Sequence, residues 1–321
     1  MPLTRRRRAA SPSERPHGSP PGRWRWWWAG LALVIVAVGA SAFSWSAGWL
    51  GDPATPSTRV PAGEFVASQE TSRATVWAVG DGADGGDEAK ALARLIERSS
   101  PDLFLYLGDV YEEGTASDFA RNYAPVYGRL ARITAPTPGN HEWPRRAEGY
   151  DPYWKRMTGK SPPAFYSFSI AGWQLLSLNS EAPHGPDSAQ VRWLRRQVRP
   201  PGTCRLAFWH RPRYSAGTNH GDQEDVAPLW TALRGRARIV VNGHEHDMQR
   251  HEPRDGMIEF VSGAGGKSRY PLDFGYSGLE WGNDTDWGAL RIDLRPGRAD
   301  FAFVTSAGST LDSGTITCRR R

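Results

Sequence analysis

Short apolar runs in this chain stop abruptly at polar clusters, most of them glycine-bearing, and this recurring pattern restricts the fold more than any other feature. Ala74–Val79 ends in Gly80-Asp81-Gly82, and Leu103–Leu107 ends in Gly108-Asp109. Arg205–Trp209 ends in His210, and Arg238–Val241 ends in Asn242-Gly243-His244-Glu245-His246. A further cluster, Gly139-Asn140-His141-Glu142, follows Pro138. Leu103–Leu107 is apolar throughout, which suits a strand buried on both faces. In open α/β sheets, ligands bind beyond the carboxyl ends of the strands. The five loops would then bring Asp81, Asp109, Asn140, His141, His210, His244 and His246 into one cleft.

That side-chain set suits two metal ions about 3.5–4 Å apart. Carboxylate oxygens and imidazole nitrogens suit Zn, Fe or Mn, and a carboxylate can bridge two ions. Glycine beside the ligands lets the backbone turn sharply and approach an ion closely. Each piece alone has an ordinary reading: Gly-Asp at a strand end is commonly a turn, and a lone His210 is commonly a satisfied or exposed histidine. Gly-His-Glu-His says more, because histidines two apart on a strand face the same side. All five clusters together leave the ordinary readings little room.

The remaining pattern alternates strands and helices. The spacing predicts a helix over Asp87–Arg98 with Asp87 as N-cap. It predicts a hairpin of Ala164–Ile170 and Trp173–Leu178 about Ala171-Gly172, and helical stretches over Ser188–Val198 and near Asp225–Arg234. Ile258–Ser262, Ala289–Leu294, Ala299–Thr305 and Leu311–Thr317 read as late strands. The alternation argues for an α/β domain, and the late all-strand stretch for a second sheet packed on the first. No internal repeat is present.

The net charge of +6 misleads about partners. Arg5, Arg6, Arg7, Arg8, Arg15, Arg23 and Arg25 stand against Glu14 alone, so residues 1–25 carry the whole excess. A nucleic-acid binder carries its basic surface on the folded domain, so nucleic acid is not expected as a stable partner. From Trp26 to Gly51 no residue is charged. Trp26, Trp27 and Trp28 on one side and Trp45 and Trp49 on the other bracket an apolar run, as at membrane interfaces, with the arginine-rich side cytoplasmic. Two readings stay open: an uncleaved transmembrane anchor, or a signal peptide cut after Ala40-Ser41-Ala42. Both place the C-terminal domain outside the cytoplasm. The expected organisation is a basic tail at 1–25, a membrane segment at 26–50, a linker at 51–72 rich in Pro and small residues, and one domain at 73–321. Cys204 and Cys318 are the only two cysteines, which excludes a Cys₄ or Cys₂His₂ zinc site. In an oxidising compartment they can form a disulfide; the alternative is two separate thiols.

The motif order resembles the calcineurin-like metallophosphoesterases, and more closely their exported bacterial branch related to purple acid phosphatases. The resemblance runs from about Thr75 to Cys318. It rests on Tyr106-Leu-Gly-Asp-Val-Tyr-Glu-Glu-Gly114, Pro136-Thr-Pro-Gly-Asn-His-Glu142, Phe208-Trp-His-Arg-Pro212, Val241-Asn-Gly-His-Glu-His246 and Gly263-Ala-Gly-Gly-Lys267. It implies two β-sheets packed face to face with helices outside. It implies a hydrolase for a phosphorylated small-molecule substrate, with a binuclear metal centre that activates water for in-line attack on phosphorus. Asp81, Asp109 and His246 would hold the first metal, and Asp109, Asn140, His210 and His244 the second. His141 would protonate the leaving oxygen, and His220 resembles a second histidine beside the substrate. The first motif lacks the Asp-x-His of many relatives, since Asp81-Gly82-Ala83 stands there. Purple acid phosphatases lack it too and use a Tyr three residues past the second Asp, but Tyr111 lies only two past Asp109. Either the loop brings Tyr111 to the first metal or the site has no tyrosinate. A phosphodiesterase or nucleotidase, and a catalytically silent surface module, are the rival readings. Gly263–Ser268 is not a P-loop, because Val261 stands where that motif needs glycine; it is expected to turn beside the cleft. Tyr270–Trp287 is either a cleft wall or a packed surface loop.

Overall fold

A computed structural model of the protein describes residues 65–318. The tail and membrane segment expected at 1–50 lie outside the described residues. Among the described residues, no helix is long and apolar enough to cross a membrane.

Thirteen strands form two mixed sheets among the described residues. In chain order they are β1 (Ala74–Val79), β2 (Leu103–Tyr106), β3 (Thr134–Pro136), β4 (Tyr166–Ile170), β5 (Trp173–Ser177), β6 (Cys204–Phe208) and β7 (Ile239–Asn242). They continue as β8 (Met248–His251), β9 (Ile258–Ser262), β10 (Leu279–Asn283), β11 (Gly288–Arg295), β12 (Arg298–Thr305) and β13 (Thr310–Thr317). One sheet has the order β13-β12-β11-β1-β2-β3, the other β10-β8-β9-β7-β6-β5-β4. β1, β2 and β3 run parallel, as do β5, β6, β7 and β9.

Side-chain alternation builds the layers. Leu206 and Phe208 of β6 and Ile239 and Val241 of β7 share one apolar cluster with Leu290, Ile292, Phe301 and Phe303 of the other sheet. Phe260 on β9 meets Phe301 on β12 edge to face at 4.9 Å. The alternate residues Ala207, Trp209 and Val240 point outward, against Val191 and Leu194 of the helix Ala189–Gln197 and Leu229 and Leu233 of the helix Ala227–Leu233. The first of these helices begins at Ser188, whose hydroxyl accepts Val191 N. On the outside of the first sheet, Ala89, Leu92, Ala93 and Ile96 make the buried stripe of the helix Asp87–Arg98.

Two expectations need correction. The late strands do not make a sheet of their own. β11, β12 and β13 extend the first sheet from β1, each antiparallel to its neighbour, while β9 joins the second sheet beside β7. Each sheet is thus a parallel centre finished by antiparallel strands, and local patterning carries no record of which neighbour a strand selects. The N-cap of the helix Asp87–Arg98 is Gly86, not Asp87. Asp84 accepts Gly86 N at 2.8 Å and turns the chain one residue earlier, leaving Asp87 in the first turn, where its charge favours the helix dipole. The hairpin at Ala171-Gly172 forms with both residues at positive φ and Ile170 opposite Trp173, the geometry of a tight two-residue connection.

Candidate metal centre

The parallel strands deliver the polar clusters. Asp81 follows β1, Asp109 follows β2, Asn140 and His141 follow β3, His210 follows β6, and His244 and His246 follow β7. Three strands of one sheet and two of the other thus open at the same edge. Backbone hydrogen bonds join the loops: Asp81 N donates to Gly108 O at 3.0 Å, and Gly243 N to His210 O at 2.9 Å. His244 N donates to Asp81 Oδ2 at 2.8 Å across the two sheets.

Two clusters of donor atoms share Asp109. In one, His210 Nε2 lies 3.0 Å from Asn140 Oδ1, 3.1 Å from His244 Nδ1 and 3.4 Å from Asp109 Oδ1. Ligand atoms of Asp109, His210 and His244 lie within 4.8 Å of one another. In the other, the Tyr111 hydroxyl stands 2.8 Å from His246 Nε2, 3.1 Å from Asp81 Oδ1 and 3.4 Å from Asp109 Oδ2. Tyr111 is buried, so the loop after Asp109 turns its phenol inward despite the short spacing.

The ring nitrogens disclose how the imidazoles are used. His210 Nδ1 lies 2.8 Å from Leu107 O, His246 Nδ1 lies 2.8 Å from Ser268 O, and His141 Nδ1 contacts Glu112 O. A carbonyl only accepts, so each Nδ1 carries a hydrogen, and in the neutral ring Nε2 presents a lone pair. In the first cluster Nε2 of His210 faces the acceptor oxygens of Asn140 and Asp109, and such a convergence attracts a cation. Burial would lower His210, but Asp109 outweighs it and raises it to about 10; a metal ion would take the place of that proton, and second-sphere carbonyls that fix the tautomer are the usual support of metal-binding histidines. Burial pushes His244 down to about 2 and His246 to about 4, which keeps both neutral. Burial, with Asp109 adding to it, holds Asp81 well above the usual carboxylate range although His210 opposes. Burial would also raise Asp109, but His210 and His141 outweigh it and hold it well below that range. The residues present fit metal ions: oxygen and imidazole donors, deprotonated or neutral, around a shared carboxylate.

His141 sits at the mouth, with Nε2 3.7 Å from Asp109 Oδ2. His220 stacks on His244 with ring centroids 4.1 Å apart. Side chains that sequence reasoning left without a role hold the site in shape. Glu142, fully buried, accepts Asp109 N and Gly139 N on Oε1 and Val110 N on Oε2. Glu245 accepts His220 N at 2.9 Å and Gly221 N at 2.7 Å. Tyr270 stacks on His246 at 3.9 Å, so its end of the 270–287 stretch lines the cleft. Glu142 adjoins His141, and Glu245 lies between His244 and His246; that neighbourhood is the one signal that marks them. The Gly263–Ser268 segment turns beside the cleft as expected, with Lys267 N bonded to Asp81 O at 3.0 Å.

Two mixed sheets that gather such donors at one edge define a class of proteins built to hold metal ions at the ends of their strands. The comparisons narrow the class: residues 74–248 match the model of the calcineurin-like phosphoesterase family, and the chain belongs to that family of phosphoester hydrolases. It is 25% identical over 190 residues to a probable purple acid phosphatase of Arabidopsis thaliana, covering 50% of this chain and 43% of the relative. It is 26% identical over 217 residues to a probable cyclic nucleotide phosphodiesterase of Synechococcus, covering 62% of this chain and 79% of the relative. The purple acid phosphatase of yellow lupin seeds superposes with a TM-score of 0.65 at 17% identity, covering 78% of this chain and 55% of that one. PhoD superposes with a TM-score of 0.56 at 12% identity, covering 79% of this chain and 72% of that one. The chain spans about half the length of the two plant proteins, and the structural likenesses establish the fold.

Proposed function

We propose that this protein is a phosphatase whose centre holds two metal ions. One lies among Asp81, Asp109, Tyr111 and His246, the other among Asp109, Asn140, His210 and His244. The observation that carries the reading is the convergence of acceptor atoms on Asp109, with the Nδ1–H groups of His210 and His246 spent on backbone carbonyls. The donor types suit Fe, Zn or Mn, and a tyrosinate from Tyr111 favours Fe(III) in the first position. When bound, such ions act as Lewis acids toward phosphoryl oxygens and lower the pKa of water.

The chain's own residues do the rest. Hydrolysis forms a bond from the water oxygen to phosphorus and breaks the ester P–O bond, so the leaving oxygen must gain a proton. In its protonated form His141 supplies it from Nε2, because Nδ1 is held by Glu112 O and Nε2 faces the cleft. His220, set over His244 and held through its backbone by Glu245, hydrogen-bonds the phosphoryl group. A second reading, phosphodiester hydrolysis, draws on the Synechococcus relative, which is named a phosphodiesterase. We also place the domain outside the cytoplasm. The uncharged segment 26–50 and a Cys204–Cys318 disulfide support export.

The purified protein should hydrolyse p-nitrophenyl phosphate, lose that activity on chelation and regain it with Zn, Mn or Fe. Asp109→Asn should lower kcat on the order of 10³-fold, since a shared charge at the reacting centre is removed. Full activity in the chelated protein or in the Asp109→Asn variant would overturn the assignment. A higher kcat/KM on bis-p-nitrophenyl phosphate would favour the second reading.

A further inference from the structure

The glycine-rich segment brings a cation to the cleft rim. A Cβ on Gly263 or Gly265 would collide with the backbone of Glu245 or Gly80, and Lys267 N is bonded to Asp81 O. The backbone that carries Lys267 is therefore fastened to the loops that supply Asp81, His244 and His246. From there Lys267 Nζ stands 4.3 Å from the centroid of the Tyr111 ring and pairs with the Glu112 carboxylate. The Glu112 carbonyl is the group that accepts His141 Nδ1. One residue thus links the ammonium to the imidazole that faces the leaving oxygen. The neighbouring Glu113 is committed elsewhere, to Arg145 at 2.8 Å.

The pair with Glu112 is easily exchanged. The Glu112 side chain is 69% exposed and that of Lys267 only 24%. An ion pair with so exposed an acid is worth little against solvent screening. Lys267 keeps its place without it, through its fastened backbone and the face of Tyr111. An anion that enters the cleft can take over the ammonium while Glu112 turns to solvent.

We propose that Lys267 is a specificity-determining residue that binds a second anionic group on the leaving-group side of the substrate. It favours phosphoanhydrides, whose leaving group carries its own phosphate, over esters of uncharged alcohols and phenols. The inference rests on the phosphoesterase reading and on His141 marking the leaving side. With a simple ester the ammonium stays on Glu112. With a phosphoanhydride the adjoining phosphate replaces Glu112, and the substrate is held at both ends.

The test compares ADP with p-nitrophenyl phosphate on the full chain and on Lys267→Met, Lys267→Arg and Glu112→Gln, with metal content measured for each. Lys267→Met should raise KM for ADP about tenfold, the loss of one hydrogen bond to a charged group, and leave KM and kcat for p-nitrophenyl phosphate unchanged. Lys267→Arg should keep the preference, and Glu112→Gln should lower KM for ADP. Equal effects of Lys267→Met on both substrates, or an effect on neither, would overturn the proposal. A fall in its metal content would also overturn it, by showing a structural role beneath Tyr111. Wild-type protein that hydrolyses p-nitrophenyl phosphate but not ADP would remove the inference and leave the phosphatase reading standing. Protein inert to both would remove both.

Discussion

Asp81, Asp109 and His244 hold φ angles of 59°, 67° and 73°, in the left-handed region that residues with a Cβ seldom enter. Such a conformation costs on the order of 1–3 kcal/mol and persists only where the surroundings over-determine it. Here they do: Asp81 N is bonded to Gly108 O, Asp109 N to Glu142, and His244 N to Asp81 Oδ2. The strain turns three side chains towards one another. Tyr111 shows the same control, its hydroxyl being set among Asp81, Asp109 and His246. If it binds Fe(III) as a tyrosinate, Tyr111→Phe should abolish a visible charge-transfer band or remove one equivalent of metal. An unchanged absorption spectrum and metal content would leave it a packing residue. His141 shares with His210 and His246 a carbonyl on Nδ1, but its Nε2 lies at the mouth. His141→Ala should lower kcat about 10²–10⁴-fold with metal content intact. The loss should shrink for esters of more acidic leaving groups; a collapse of metal occupancy would instead make His141 a ligand.

The elements act through their ends. β3 is three residues long and includes Pro136, so nothing in its composition announces a strand; pairing of Phe104 with Thr134 and Tyr106 with Pro136 creates it. Its position aims the Gly139–Glu142 turn at the loop after β2. There Gly139 packs so tightly that a Cβ would collide with the Asp109 carboxylate. Beside it, Gly108 has a φ of +101°, and a Cβ there would lie 2.6 Å from Gly139 N. Gly139→Ala should therefore displace Asp109, and a drop of at least one metal equivalent, measured on folded protein, would show it. Full metal content and activity in that variant would mean that the loop yields more readily than this packing implies. Local signals were strong for β1, β2, β6 and β7, which are apolar, flanked by glycine or histidine, and buried. They were weak for β8 and β10, whose polar residues Gln249, Arg250 and Glu280 are accommodated by partners, including Asp312 for Arg250 at 2.7 Å.

At the scale of the whole molecule, the Cys204–Cys318 bridge ties the start of β6 in one sheet to the end of β13 in the other, across a separation of 114 residues. It lies at the amino end of β6, while His210 follows the carboxyl end. Replacing both cysteines by alanine should lower the unfolding free energy by about 2–5 kcal/mol, read from denaturant midpoints, with metal content preserved. No change in midpoint would show that packing between the sheets suffices without it. What the sequence by itself determined was the inventory. Apolar runs of strand length ending in Asp, Asn and His motifs are local facts, set by side-chain chemistry and period, and they sufficed to name the donor atoms and the cleft they enter. Tertiary structure alone decided the rest. That β11–β13 extend the first sheet, that Tyr111 turns inward, and that Glu142 and Glu245 brace the ligand loops all depend on which distant groups meet. Strand edges and buried carboxylates take whichever partner satisfies their hydrogen bonds, and that choice is made only when the two sheets close on one another.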